Sequence, residues 1–262
     1  MEQNSKNLVS EHWRGLDFYQ PKNDSNPKVV IIGCGAIGSY TAFGLARLGV
    51  KELVLIDFDT VEGHNLPNQF FAESLNIKEG IFKTSALEAT IKLMVKDVSI
   101  KSFPLKFEQV FPDEWKDASA IIVAVDDMNV RKFIYNKVLE CNNRQLLLDA
   151  RIGGIYANIY TIDMVCRSHR EYYESSLYSN DYVKPLPCTG QSICDVSMAV
   201  AGELVGRYRT YAMGKTYPSL HSFHDYGMGH SWIQEKNRNF TLLANDSAEE
   251  VEENIDEDED GE

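Results

Sequence analysis

Gly33-Cys34-Gly35-Ala36-Ile37-Gly38 stands between a β-branched run (28–32, KVVII) and a stretch in which Ala42, Leu45, Ala46 and Leu48 recur at helical spacing and stop at Gly49. Glycines at such a junction let the chain turn tightly and bring its backbone against a phosphate or ribose at a helix N-terminus. Asp57 closes a second apolar run (52–57, ELVLID), 24 residues after Gly33, where a carboxylate can take ribose hydroxyls. By itself this pattern says adenine nucleotide, with NAD the usual guess, and a tight turn without any ligand is the plain alternative. The residues that follow are more than an adenosine site needs. Asp59, Asn65 and Gln69 lie in DFDTVEGHNLPNQFF, Lys83 opens an expected helix, and Asp126 closes the run SAIIVAV. Carboxylates and amides beside a cation suit a triphosphate and a metal. A carboxylate at the carboxyl edge of a parallel sheet is placed to hold Mg²⁺ against phosphates.

The elements that must position these groups follow from periodicity. Strand, glycine turn, helix and strand within about 30 residues form a βαβ unit, which requires a parallel sheet and a right-handed crossover. Further strands are expected at 98–104 and 119–125, and two more β-rich runs lie within 145–165. Helices are expected at 82–95, with Leu87, Ile91, Leu93 and Met94 on the apolar side, at 128–141, and at 191–212, with Ile193, Val196, Val200, Leu204 and Tyr208 one turn apart. Residues 60–80 read as loop with a helical turn, and 167–187 as a long tyrosine-rich loop whose tyrosines either line a substrate channel or pack the loop. Residues 219–230 are a His- and Gly-bearing stretch before an edge strand, NFTLLA. The fold class is α/β: a Rossmann-like, mostly parallel sheet with helices on both faces and an antiparallel extension in the C-terminal half. Residues 1–27 are an N-terminal segment that packs on the domain or a dimer mate, 28–245 the domain, and 246–262 a disordered tail.

Composition narrows the function. Of 262 residues, 39 are acidic and 26 basic, giving −13; residues 246–262 hold eleven acids and no base, so the other 245 carry −2. That balance argues against a nucleic-acid-binding domain. No apolar run reaches the roughly 18 residues of a membrane span, and the N-terminus lacks an export signal, so no membrane association and a cytoplasmic location are expected. The five cysteines (Cys34, Cys141, Cys166, Cys188, Cys194) form no C-x-x-C pair, which points to reduced thiols, most of them buried, and to no zinc. His221, His224 and His230 with Asp225 have no spacing that suits a tetrahedral metal, and packing histidines are the better reading.

The segments IIGCGAIGS, GVKELVLIDFDTVEGHNLPNQ, Lys83 and VAVDDMNVR, in that order, resemble the adenylation domain shared by ThiF, MoeB, HesA and the ubiquitin-activating enzymes. The resemblance covers residues 28–140 and extends more weakly through 145–212. It implies an ATP-dependent adenylyltransferase that activates the C-terminal carboxylate of a small ubiquitin-like protein, sulfur carrier or peptide as an acyl-adenylate. It also implies that Gly33, Gly35 and Gly38 form the nucleotide turn, that Asp57 contacts the ribose, that Asp59, Asn65, Gln69 and Lys83 line the phosphates, and that Asp126 binds Mg²⁺. Two departures stand out: Asn68 occupies the place of the family's usual arginine, and the zinc-binding cysteine pairs are missing. Arg14 lies where family homodimers supply an arginine to the partner's site, and Cys188 lies where MoeB-like members place a thioester cysteine; Cys194 reads as core. A non-catalytic nucleotide-binding scaffold of the same fold, or an NAD-dependent oxidoreductase, remains the alternative.

Overall fold

The computed structural model describes residues 15–21, 27–72, 80–141, 145–178, 193–214 and 219–234. In chain order these hold β1 (Lys28–Ile32), α1 (Ala36–Leu48), β2 (Glu52–Ile56), a 3-10 turn (Gly63–Asn68), α2 (Lys83–Met94), β3 (Ser99–Phe103), β4 (Ala120–Val123) and α3 (Met128–Glu140). They continue with β5 (Leu146–Gly153), β6 (Tyr156–Asp163), α4 (Arg167–Ser175), α5 (Cys194–Met213), β7 (His221–Asp225) and β8 (His230–Gln234).

The strands form one sheet in the order β3-β2-β1-β4-β5-β6-β7-β8. Strands β3 to β5 are parallel, and β6 to β8 continue antiparallel. The central strands are buried on both sides, which is why KVVII, ELVLI and AIIV read as continuous apolar runs rather than alternating ones. Alternate residues feed two cores. Val29, Ile31, Leu53 and Leu55 pack with Leu45, Leu87, Val200 and Leu204 under α1, α2 and α5. Val30, Ile32, Val54 and Ile121 pack with Ile134, Val138 and Tyr173 under α3 and α4. Helices therefore cover both faces, as expected. Gly44 lets α1 approach α5 closely: a Cβ there would stand 2.8 Å from Val205. Gly49 closes α1 at φ 105°, a left-handed cap that an L side chain strains to adopt.

Several expectations need correction. Residues 167–187 are not all loop, because Arg167–Ser175 is helix. Its inward positions are His169 and Tyr173, one turn apart and fully buried, so the helical period is written in residues that do not register as apolar. An Arg167–Glu171 pair at 2.7 Å supports it from outside. Leu93, Met94 and Ile193 are 60%, 46% and 50% exposed, since each sits at a helix end where the core has already stopped. The stretch 219–230 contributes β7 and the turn of a hairpin. Of the described cysteines only Cys34 is fully buried. Tyr19 is buried in the core under α1 and α5, while Phe18 is exposed beneath Arg209, its ring centroid 5.9 Å from the guanidinium carbon. Most of the N-terminal segment, the NFTLLA segment and the acidic tail lie outside the described residues.

His221 is a packing residue with a measurable signature. It stacks on Tyr160 at 4.1 Å, and its ring nitrogens meet Tyr172 Oη at 2.9 Å and Asn158 Oδ1 at 3.0 Å. Burial first, then the charges of Arg151 and Arg207 and the His224 ring, push its pKa down to about 4. Above the ordinary imidazole pKa near 6.5 both folded and unfolded chains keep the ring neutral, and the packing is fully favourable. Below it the unfolded chain takes a proton that the folded one refuses, so stability falls as pH drops from about 6.5 toward 4. Urea unfolding at pH 7 and 4.5 should show a loss on the order of 2 kcal/mol from this group. His221→Gln should flatten that dependence; an equally steep loss in the variant would show that other groups cause it.

Candidate functional site

In a parallel sheet the C-terminal ends of the strands share one edge, so the residues following β1, β2 and β4 must meet there. Gly33 follows β1. Its φ is +94°, its N–H bonds the Ile56 carbonyl at 2.9 Å, and a Cβ would stand 2.5 Å from the Ala124 carbonyl oxygen. Gly38, in the first turn of α1, is tighter still, since a Cβ would fall 1.8 Å from the Gly33 oxygen. These two glycines are required by the backbone's own packing. Gly35 is different: among the described residues the nearest atom to a Cβ there is Gln69 Nε2 at 4.0 Å, and its φ of −80° is not left-handed. Among the described residues the space beside Gly35, at the start of α1, is open, which is where close backbone approach to a ligand is useful.

Asp57 follows β2 and is buried. It accepts from the Cys34 N–H at 2.6 Å and the Asp59 N–H at 2.8 Å. Burial raises its pKa above the ordinary carboxylate value, although both hydrogen bonds and Lys83 pull against that. The Cys34 thiol is driven well up by burial and by Asp57, so it is an inert buried group. Asp59 is half exposed. The chain beyond it is tied to the start of α2 by a short antiparallel bridge between Thr60 and Phe82 and by the Lys83 N–H on the Asp59 carbonyl at 2.9 Å. This tie brings Lys83 back to the site: Nζ donates to Asp59 Oδ2 at 2.8 Å, with the lysine side chain only 11% exposed. Burial lowers the Lys83 pKa, but the Asp59 hydrogen bond and the charges of Asp57, Asp59 and Asp126 together outweigh it, and the ammonium is held above its usual range.

Asp126 lies between β4 and α3 with its carboxylate exposed. The adjacent Asp127 is committed as the α3 N-cap, accepting from the Val130 N–H at 2.9 Å. Asn65 and Asn68 lie on the 3-10 turn, which packs beside α5, and Gln69 follows directly. Gln69 Oε1 is buried without a hydrogen-bond partner among the described residues, and its Nε2 faces Gly35. An orphaned buried acceptor next to an open glycine cradle is a position where a bound molecule's donor would be satisfied. Lys83, Asp57, Asp59 and Asp126 thus meet at one edge with Gly33, Gly35, Gly38 and Gln69. Arg14 and Cys188 lie outside the described residues.

Cys194 does not belong to the core. It is the first residue of α5, half-buried, with its thiol 3.1 Å from the Tyr40 hydroxyl on α1. Burial and this contact push the Tyr40 pKa up to about 12. Sequence reasoning also missed a buried charge cluster beside Asp126. Asp149, fully buried on β5, accepts from Arg131 Nε at 2.9 Å, Arg151 Nε at 2.7 Å and Tyr173 Oη at 3.0 Å. Burial would raise its pKa, yet the two guanidiniums hold it below the ordinary value. The available signal was a carboxylate ending the run LLLD with an arginine two residues on.

Among the described residues no group of three or more His, Cys, Asp or Glu is arranged to hold a metal by itself. His221 is enclosed by aromatic rings, and His224 Nε2 meets Glu203 at 2.9 Å. Mg²⁺ commonly binds through one or two carboxylates plus substrate phosphates, and the exposed Asp126 suits that role. No described helix is long and apolar enough to cross a membrane.

Known proteins share this architecture. The chain is similar to the ubiquitin-like modifier-activating enzyme 5 of Drosophila erecta, 39% identical over 75 residues that cover 29% of this chain and 18% of that enzyme. It is also similar to the adenylyltransferase and sulfurtransferase UBA4 of Kluyveromyces lactis, 26% identical over 150 residues, 56% of this chain and 33% of that protein. The matched region thus spans a third or less of the length of these two relatives. The fold matches the crystal structure of PaaA with a TM-score of 0.68 at 17% identity, covering 87% of this chain and 73% of that one. It matches E. coli MccB with ATP at 0.63 and 18% identity, covering 85% and 68%. The pattern of the ThiF family matches residues 12–239, the whole of the described sheet with its helices, and the chain belongs to the ThiF family.

Proposed function

We propose that this protein is an ATP-dependent adenylyltransferase that activates the C-terminal carboxylate of a small ubiquitin-like protein or peptide. The observation that carries the reading is Lys83: a nearly buried ammonium, bonded to Asp59 and within the field of Asp57 and Asp126, at the mouth of an open glycine loop. A hydride-transfer enzyme has no evident use for that constellation, whereas attack of one anion on another does.

Glycines 33, 35 and 38 hold the nucleotide turn, Asp57 takes the ribose, and Asp59, Asn65, Gln69 and Lys83 line the phosphates. When the substrate carboxylate attacks the α-phosphorus, an acyl O–P bond forms and the bond to pyrophosphate breaks, leaving acyl-adenylate and pyrophosphate. Negative charge accumulates on the phosphoryl oxygens during that step. Lys83 and the Gln69 amide donors offset it in a partly dehydrated site. Mg²⁺ held through Asp126 would neutralise phosphate charge there. With Asn68 in the place of the family's arginine, the cradle leans on Lys83, the metal and an arginine from elsewhere. Arg14 of a second copy would serve, which makes a homodimer part of this reading. Cys188 is the candidate to accept the acyl group as a thioester, and the setting is cytoplasmic. The names of the similar proteins, an activating enzyme for ubiquitin-like modifiers and a sulfurtransferase, support a macromolecular carboxylate. The neighbour crystallised as a microcin C7 biosynthetic enzyme with MccA supports a wider range of acceptors.

Calorimetric titration of the full chain with ATP, with and without Mg²⁺, and separately with NAD tests the reading. Mg²⁺-dependent ATP binding, weakened about tenfold or more in Asp126→Ala, is expected. NAD binding indifferent to Mg²⁺ and to Asp126 would establish the oxidoreductase instead, and binding of neither nucleotide would leave a scaffold without this activity.

A further inference from the structure

The reading above leaves one buried group of charges without a task. Arg131 stands in the first turns of α3, where it could reach water. Instead its guanidinium is buried at 5% exposure, although desolvating a charge is costly unless it gains strong partners. Those partners are specific. Nε donates to Asp149 Oδ1 at 2.9 Å, and one terminal nitrogen donates to the carbonyls of Ala150, at 3.3 Å, and Val125. The β4–β5 ladder ends at Val123 opposite Asp149, and the β1 side of β4 ends with the Ala124 N–H on the Ile32 carbonyl at 2.8 Å. Val125 is therefore the first residue past the sheet, and Asp126 the next. On its far side, Asp127 is fixed by its N-cap bond to Val130. The exposed Asp126 is thus held by its backbone, between the Arg131–Val125 bond and the Asp127 cap.

We propose that Arg131 is a positioning residue of the adenylation site: anchored on buried Asp149, it fixes through the Val125 carbonyl the strand end that presents Asp126 to the metal. This rests on the assignment of Asp126 to Mg²⁺. Arg151 and Tyr173 complete the anchor. Arg151 also donates to the carbonyl and hydroxyl of Ser176, at 2.9 and 3.1 Å, so the same carboxylate ties the end of α4 to the site edge. A lysine at position 131 would keep the charge but lose the planar fork that reaches a carboxylate and two carbonyls at once.

The test is the coupling between metal and nucleotide, read as the ratio of affinities for a non-hydrolysable ATP analogue with and without Mg²⁺ in calorimetry. In the wild type the ratio should be well above one. Arg131→Lys should cut it about tenfold while changing the metal-free affinity less than about twofold. Tyr135→Phe, elsewhere on α3, removes a 2.6 Å bond to Glu174 of α4; it should leave the ratio alone and controls for general loosening of α3. If Arg131→Lys does not fold by circular dichroism, Asp149→Asn, nearly isosteric and still an acceptor for Arg131, takes its place with the same expected direction. An unchanged ratio in the folded variant, or an equal loss with and without Mg²⁺, overturns the proposal. A wild-type ratio of one would mean instead that the Mg²⁺ assignment of Asp126 has failed.

Discussion

Gly38→Ala is expected to abolish Mg-ATP binding and to lower the melting temperature, whereas Gly35→Ala should leave the fold intact and weaken nucleotide binding alone. The two glycines are three residues apart in the same loop but answer to different constraints. A Cβ at Gly38 would sit 1.8 Å from the Gly33 oxygen and 2.9 Å from its carbon, backbone atoms that cannot swing aside. Relief requires α1 to withdraw from β1, which should cost about 3 kcal/mol, or roughly 6–12 °C for a domain of this size. Among the described residues a Cβ at Gly35 meets only Gln69 Nε2, at 4.0 Å. The methyl group enters that space, the stability change should stay within about 1 kcal/mol, and ATP affinity should fall about tenfold or more because the proposed site gives that space to a phosphate. Thermal unfolding and calorimetry on both variants check this. If Gly35→Ala binds Mg-ATP as well as the wild type, the open cradle is not the nucleotide site.

Lys83→Met should cause the largest single loss in the proposed phosphate cradle. Methionine preserves the apolar stem of a side chain that is 11% exposed, so the packing of α2 survives. What disappears is a cation bonded to Asp59 and facing Asp57 and Asp126, leaving three carboxylates gathered where the proposed function puts a triphosphate. Loss of one charge-assisted contact, about 1.5–3 kcal/mol, predicts ATP binding roughly 10- to 150-fold weaker. Pyrophosphate exchange, once a carboxylate substrate is in hand, should fall about 10²–10³-fold because the charge at stake grows during attack. Lys83→Arg should recover part of the binding. With Asn68 standing where the family carries arginine, the NLPNQ segment itself offers no second cation, and only Mg²⁺ and an arginine from elsewhere would remain. Near-normal ATP affinity in Lys83→Met would mean that the cation counted here is supplied from another part of the protein.

The amino-acid sequence by itself determined the parallel half of the sheet and which residues gather at its carboxyl edge. KVVII, GCGAIG and ELVLID specify strand, turn, helix and strand through local rules: continuous apolar runs make strands buried on both faces, and glycines mark where side chains cannot fit. Parallel topology then obliges Gly33, Asp57 and Asp126 to share an edge, so their meeting was legible without coordinates. Other features depended on contacts between distant segments. The helix Arg167–Ser175 hides its period in His169 and Tyr173, polar residues made internal by the sheet they pack on. Cys194 leaves the core because α5 begins there and Tyr40, 154 positions earlier, takes its thiol. Asp149 reads as one more strand residue until Arg131, Arg151 and Tyr173 converge on it from a helix, the same strand and another helix. Propensity and spacing encode what one segment does with its neighbours in sequence. Whether a charge is paired, and therefore whether it can be buried, is decided only when separate elements bring its partners to it.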